Sequence, residues 1–444
     1  MNKIIVRNIV RFWLAWVLIV IGFQALSTAR VQPQWPDMLV WAPGDPTDVP
    51  NFAVQGHPYM LEPFMNNQVS WDSEMYIGIS IGGYENPCMT VAYPSVHAHG
   101  GFVVPCTDTV NRGNENPIIL SYAFFPFYPI LIHLFAIPLS LLQLNAIATA
   151  TLAGVIISAL GILGAMLALY DLTYDKLGEG GAMRAVFYLM IFPASFIFVQ
   201  VYSEGLFVGL AFGCLAMLRR KHLALAALLA WVATLTRAVG MTLIIPMAIM
   251  WIRTHEWYAL DLEWDQLYFK RPAWRPIWHA LLAFTPLIVY LIWKLSYYGA
   301  MFDYVETAYF GRAPLDLAKG FGAWVAALAT VVQGHALGRP DILAPFGYRA
   351  HYLIEVCCAA LGFVTILRAL KTDPEVAWFS LAAFLIAWVS GPPNIPRYML
   401  AAPAVFITLA RWGKNPVFDR AWTLASLLLM GFLAMLYAFN FYAA

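Results

Sequence analysis

The chain has 444 residues, of which 61% are hydrophobic and 11% charged, and its mean hydropathy is +0.67. Soluble domains carry roughly 25% charged residues, so this composition excludes a water-soluble globular protein and marks a chain that lives in a bilayer. A net charge of +1 excludes a nucleic-acid partner, because binding a phosphate backbone needs clustered Lys and Arg.

The first element is the apolar run after "MNKIIVRNIVRFWLAW". It is longer than the apolar region of a signal peptide and no small-residue cleavage site follows, so it reads as an uncleaved spanning helix. Lys3, Arg7 and Arg11 place the N-terminus on the cytoplasmic side by the positive-inside rule. Further basic clusters at Lys176/Arg184, Arg219–Lys221, Arg253, Lys270–Arg275, Arg368/Lys371 and Arg411–Arg420 divide the remaining chain. With about 20 apolar residues per crossing, the predicted spans are 10–29, 146–170, 184–201, 205–219, 222–236, 239–252, 277–296, 350–370, 375–391, 397–411 and 421–441. The expected fold is an all-α polytopic membrane bundle of about eleven transmembrane helices in one domain over 1–444. The run 124–144 carries three prolines and is followed by no basic cluster, so it is expected to lie in the outer leaflet or to dip and return.

Two large extracytoplasmic loops result, 30–123 and 297–349, both too long for simple connectors. In the first, Ser70 is placed to cap a short helix over 71–82, with Trp71, Met75 and Ile79 on one face and Asp72 and Tyr76 beside them. Asp72 then either complements the positive helix terminus or acts chemically. Cys88 and Cys106 fall in the same loop, and a disulfide between them would contribute roughly 3 kcal/mol by loop entropy. His97 and His99 between them form a His-x-His pair, too few ligands for a metal site without others. In the second loop an amphipathic helix is expected near 315–333, along the membrane surface.

Three more charges stand out because cytoplasmic bias does not explain them. Glu204 sits in "VYSEGL", beside Tyr202, at a short external turn. It serves either as an acid at a helix N-terminus or as a ligand to substrate or metal. Arg237 and Arg397, the latter followed by Tyr398, fall at external ends of spans. Each is a phosphate contact, half of an ion pair with a carboxylate such as Glu204 or Glu355, or a side chain that snorkels to the interface.

The segment "WDSEMYIGISIGGYE" resembles the Trp-Asp signature of the PIG-V-like mannosyltransferases, in their bacterial branch, which belong to the GT-C class of integral-membrane glycosyltransferases. The blocks "YAFFPFYPIL", "VYSEGLFVGLAF", "LALAALLAWVATLTRAVGMTLIIP", "YYGAMFDYVETAYFGR" and "SGPPNIPRYMLAAP" are similar to that family in the same order. Two features depart from the pattern: Ser70 and Glu74-Met75 flank the Trp-Asp pair, and 85–123 is an insertion. The resemblance implies an inverting transfer of a sugar, mannose, from a polyprenyl-phosphate donor to a hydroxyl of a glycolipid or glycan at the extracytoplasmic face. It implies Asp72 as general base and does not require Glu74. Trp71, Tyr76, Glu204, Tyr202, Arg237, Arg397 and Tyr398 are the expected substrate contacts. A requirement for a divalent metal is left open. The competing reading is a lipid-linked sugar flippase or another polytopic transporter, although charges gathered at the external edge and the absence of a sequence repeat fit a transporter poorly.

Overall fold

The structure is a computed structural model, and it describes residues 2–31, 59, 62–86, 91–92, 118–254, 274–308, 316–336, 339–343, 346–392 and 394–440. The expected Cys88–Cys106 disulfide and the His97/His99 pair lie outside the described residues. So does most of the 85–123 insertion.

Among the described residues the chain is helical, with only two short antiparallel ribbons, Val91–Ala92 with Ile118–Ile119 and His335–Ala336 with Arg339–Leu343. In chain order the helices are α1 (Lys3–Arg30), α2 (Asp72–Gly82), α3 (Phe127–Leu139), α4 (Ala146–Met190), α5 (Glu204–Arg219), α6 (Leu223–Thr236) and α7 (Ile244–Thr254). They continue with α8 (Trp274–Lys294), α9 (Tyr297–Ala308), α10 (Leu317–Gln333), α11 (Phe346–Leu370), α12 (Pro374–Val389), α13 (Ile395–Met399), α14 (Pro403–Trp412) and α15 (Pro416–Ala438). By length and composition, four described helices can cross a bilayer: α1, α4, α11 and α15. The bent pair α8–α9, which turns by 79°, makes a fifth if counted as one span. The apolar faces of these helices and their many exposed Leu, Ile and Phe side chains describe an integral membrane protein.

Helix α4 is the axis of the molecule, packed against α1, α2, α3, α5 and α14. Its contact with α5 is close because glycines face each other. A Cβ on Gly161 would overlap the Gly205 carbonyl, and one on Gly209 would overlap the Gly161 carbonyl. Small residues at such a crossing let two backbones approach where side chains would hold them apart. This contact fixes where α5 begins, and hence where Glu204 sits.

Several predicted spans are rearranged. The expected separate helix over 184–201 is instead the end of α4, which breaks at Gly178 (φ 68°) and stops at Met190. The chain then passes through a 3₁₀ turn, Ser195–Val199, buried throughout. The expected 239–252 span opens with a 3₁₀ segment, Ala238–Leu243, before α7. The expected 397–411 span is cut into α13 and α14, because Pro403 starts a new helix at its first turn. Helix α3 has 13 residues, or about 20 Å, which is shorter than the hydrocarbon core. Helix α10 forms where an amphipathic helix was expected. It buries Gly320, Trp324 and Ala327 and exposes Leu317, Phe321 and Val325.

Candidate functional site

The start of α2 is not capped as the sequence predicts. Trp71 holds the capping position in an unusual conformation (φ 54°, ψ −116°), and no side chain caps the helix. The Ser70 hydroxyl instead donates to the carbonyl of Tyr437 at 2.9 Å. Residues Ser73 to Ser80 are all buried, so α2 is enclosed rather than laid flat with one face exposed. Tyr76 packs edge-on against Phe124 and Tyr128, and its hydroxyl meets that of Ser203 at 2.8 Å. Burial pushes the Tyr76 hydroxyl well above the usual tyrosine range, only partly opposed by Arg237, so it stays protonated and acts as a hydrogen-bonding group.

Helix α5 begins with Glu204 in its first turn, which brings the carboxylate to the end of the bundle occupied by α2. Arg237 is the first residue after α6, where the helix stops and the backbone becomes extended (φ −153°, ψ 140°). Arg397 is carried by the five-residue α13. That short helix is itself held from outside: the Glu355 carboxylate on α11 accepts the backbone N–H groups of Asn394 at 3.0 Å and Ile395 at 2.9 Å. Asn394 adopts a left-handed conformation (φ 75°), which such a pair of bonds helps to hold.

These four charged residues converge. Arg237 Nη1 meets Glu204 Oε1 at 2.5 Å, and Arg397 Nε donates to the same Oε1. Arg397 Nη2 meets Asp72 Oδ2 at 2.6 Å. Two guanidinium groups and two carboxylates thus balance in charge, which a low-dielectric site requires. The side chain of Asp72 is 32% exposed, against 4% for Glu204, 9% for Arg397 and 15% for Arg237. Asp72 is therefore the carboxylate that an incoming molecule can reach. Aromatic rings line the arginines, with Tyr202 under Arg397 at 4.6 Å and Tyr398 beside Arg237 at 5.7 Å. Arg237 also donates to the Ser203 hydroxyl at 3.2 Å, linking it to Tyr76.

One polar atom stands out. Glu204 Oε2 is buried, and among the described residues it has no hydrogen-bond partner while Oε1 accepts from both arginines. A buried carboxylate oxygen left in that state is costly unless something donates to it.

Seven of the expected site residues, Asp72, Tyr76, Tyr202, Glu204, Arg237, Arg397 and Tyr398, thus form one connected cluster. Trp71 lies beside it in the chain, at the strained turn. Of the alternatives open for the arginines, both pair with Glu204, and Glu355 pairs with neither but holds the backbone of α13. Sequence reasoning did not find Ser203 or Tyr437, since a hydroxyl at a helix end carries no signal of its own. For Glu355 the available signal was an acid inside an apolar helix.

No family model matches the chain, and no curated protein matches it. Among solved structures it is similar to the archaeal oligosaccharyltransferase AglB from Archaeoglobus fulgidus, in complex with an inhibitory peptide and a dolichol-phosphate, at 14% identity and a TM-score of 0.39 over 97% of this chain and 56% of that one. The same oligosaccharyltransferase in complex with Zn and sulfate gives 14% identity and a TM-score of 0.42, covering 97% and 53%. ArnT from Cupriavidus metallidurans bound to undecaprenyl phosphate gives 14% identity and a TM-score of 0.26, covering 78% of each chain. The chain spans about half the length of the oligosaccharyltransferases it matches. Similarity at this level assigns the chain to no family.

Proposed function

We propose that the chain is an inverting glycosyltransferase of the GT-C class, PIG-V-like, that moves a sugar, mannose, from a polyprenyl-phosphate donor to a hydroxyl of a glycolipid or glycan at the extracytoplasmic membrane face. The observation that carries this reading is Arg397 lying between an accessible carboxylate, Asp72, and a buried one, Glu204. Inverting transfer needs a base on one side of the anomeric carbon and a cation at the departing phosphate on the other. The ordered sequence blocks support the same reading, since four of them deliver Asp72, Glu204, Arg237 and Arg397 to a single cluster.

The acceptor hydroxyl attacks the anomeric carbon opposite the phosphate, forming the new C–O bond as the old C–O–P linkage breaks at carbon. Its proton passes to Asp72. The bonding electrons leave with the lipid phosphate, which gains a second negative charge, and Arg397 and Arg237 stabilise it. Arg397 engages Asp72 Oδ2 in the structure. A donor phosphate that draws this guanidinium toward itself releases the carboxylate for the acceptor, so donor binding readies the base. Glu204, buried, holds both arginines in place for the phosphate, and Tyr398, partly exposed beside Arg237, offers a ring to the sugar.

The test is transfer from a panel of radiolabelled polyprenyl-phosphate sugars (mannose, glucose, arabinose) by the purified protein in lipid nanodiscs. Asp72→Asn should lower transfer by about 10²–10⁴-fold while leaving donor binding intact. Unchanged transfer in that variant sinks the base assignment. Absence of transfer by the wild type with every donor favours a flippase.

A further inference from the structure

We propose that Tyr437, near the end of α15, is a positioning residue that holds Asp72 in place; this rests on the reading of Asp72 as base. Asp72 directly follows Trp71, whose positive φ is rare for a bulky side chain. Such a conformation costs about 1–3 kcal/mol and persists only where its surroundings enforce it. Here the enforcing contacts come from 367 residues away in sequence.

Tyr437 grips both sides of the turn. Its backbone carbonyl accepts from the Ser70 hydroxyl at 2.9 Å, and its own hydroxyl donates to the Ser70 carbonyl at 3.3 Å. The same hydroxyl lies 2.9 Å from the Ser73 hydroxyl. Either hydroxyl can donate in that contact. The bonds form a bracket around Trp71 and Asp72, and its three members, Ser70, Ser73 and Tyr437, are all buried. The ring of Tyr437 also packs edge-on against Tyr202 at 5.7 Å, and Tyr202 is the ring beneath Arg397. A single side chain therefore sets the register between the base and the guanidinium facing it. Its hydroxyl acts through Ser70 and Ser73, not on the reacting atoms.

Tyr437→Phe removes only the hydroxyl and keeps the ring packing. In full-length protein in nanodiscs, kcat for the sugar donor that the wild type uses should fall about 10–100-fold, as expected for a displacement near 1 Å, with donor KM within about twofold. Ser73→Ala should give the same fall, and the double variant should add nothing further. Hydrogen–deuterium exchange should accelerate about tenfold across 71–76 and stay unchanged in α14, a pattern that general destabilisation does not produce. Unchanged exchange at 71–76, a uniform rise in all helices, or an unchanged kcat overturns the proposal. If Asp72→Asn turns over as fast as wild type, or the wild type transfers no sugar, the functional reading falls. The exchange experiment then still decides whether Tyr437 holds this turn.

Discussion

Arg397 bridges Asp72 and Glu204, touching one carboxylate through Nη2 and the other through Nε. A planar fork with separated donors can do this, and the point charge of a lysine cannot. Arg397→Lys is accordingly expected to behave almost as badly as Arg397→Ala, with sugar transfer reduced by roughly 10²–10³-fold. Single-turnover kinetics with labelled donor would check this, and a lysine variant with near-wild-type turnover would contradict the bridging role.

Glu204 is the shared counter-charge of the buried Arg397 and the partly buried Arg237. Glu204→Gln leaves both cations under-compensated and should destabilise the protein by roughly 3–5 kcal/mol. Adding Arg237→Met removes one of the stranded charges, so the double variant should recover part of the loss. Thermal unfolding in detergent, followed by intrinsic fluorescence, would read both effects.

Glu355 uses both oxygens to hold the first turn of α13. Glu355→Ala strands two backbone N–H groups, costing about 1–3 kcal/mol, and lets Arg397 drift. The expected signature is weaker binding of undecaprenyl phosphate together with a lower unfolding temperature. Normal lipid binding in a folded Glu355→Ala protein would show that α13 holds its place without it.

The α4–α5 crossing admits no side chain at Gly209, whose Cβ would meet the Gly161 carbonyl. Gly209→Ala is expected to cost about 1–3 kcal/mol by forcing the helices apart, whereas Gly22→Ala on α1, with open space around it, should be neutral or slightly stabilising. Comparing the unfolding midpoints of the two variants tests the packing argument directly.

At the far end of α5, about 22 Å along the helix from Glu204, charge is arranged differently. Arg219 pairs with Asp175 and Arg220 with Asp171, while Lys176 and Arg411 converge on Asp373. Burial alone would raise the Asp373 pKa, but hydrogen bonds from Lys176, Thr372 and Arg411 outweigh it and hold the carboxyl below the usual carboxylate range. Its folded pKa is thus depressed relative to the unfolded chain. The stabilisation is complete above the unfolded value of about 3.9 and is lost as pH falls through the folded value. Asp373→Asn should lower stability at neutral pH by about 2 kcal/mol and flatten the acid limb, as measured by unfolding midpoints between pH 3 and pH 7.

The sequence by itself determined the fold class, the positions of most helices and the segments that carry charge at helix ends. Hydropathy and period report local burial, so α5, α6, α11, α12 and α15 fall close to their predicted ranges. Glu204, Arg237 and Arg397 were each legible singly, as ionisable groups at the ends of apolar spans, whereas Asp72, in the first loop, stood out through the resemblance of its Trp-Asp segment. The tertiary structure alone decided that the two arginines share one oxygen of Glu204, that Asp72 keeps the exposed place, and that Glu355 serves the backbone of α13. It also turned the expected Ser70 cap into a bond to Tyr437 and broke the expected 184–201 and 397–411 helices. The physical reason is range: burial follows from neighbours a few residues away, whereas these pairings join groups 193, 325 and 367 residues apart. Their energy depends on distances set only when the helices pack.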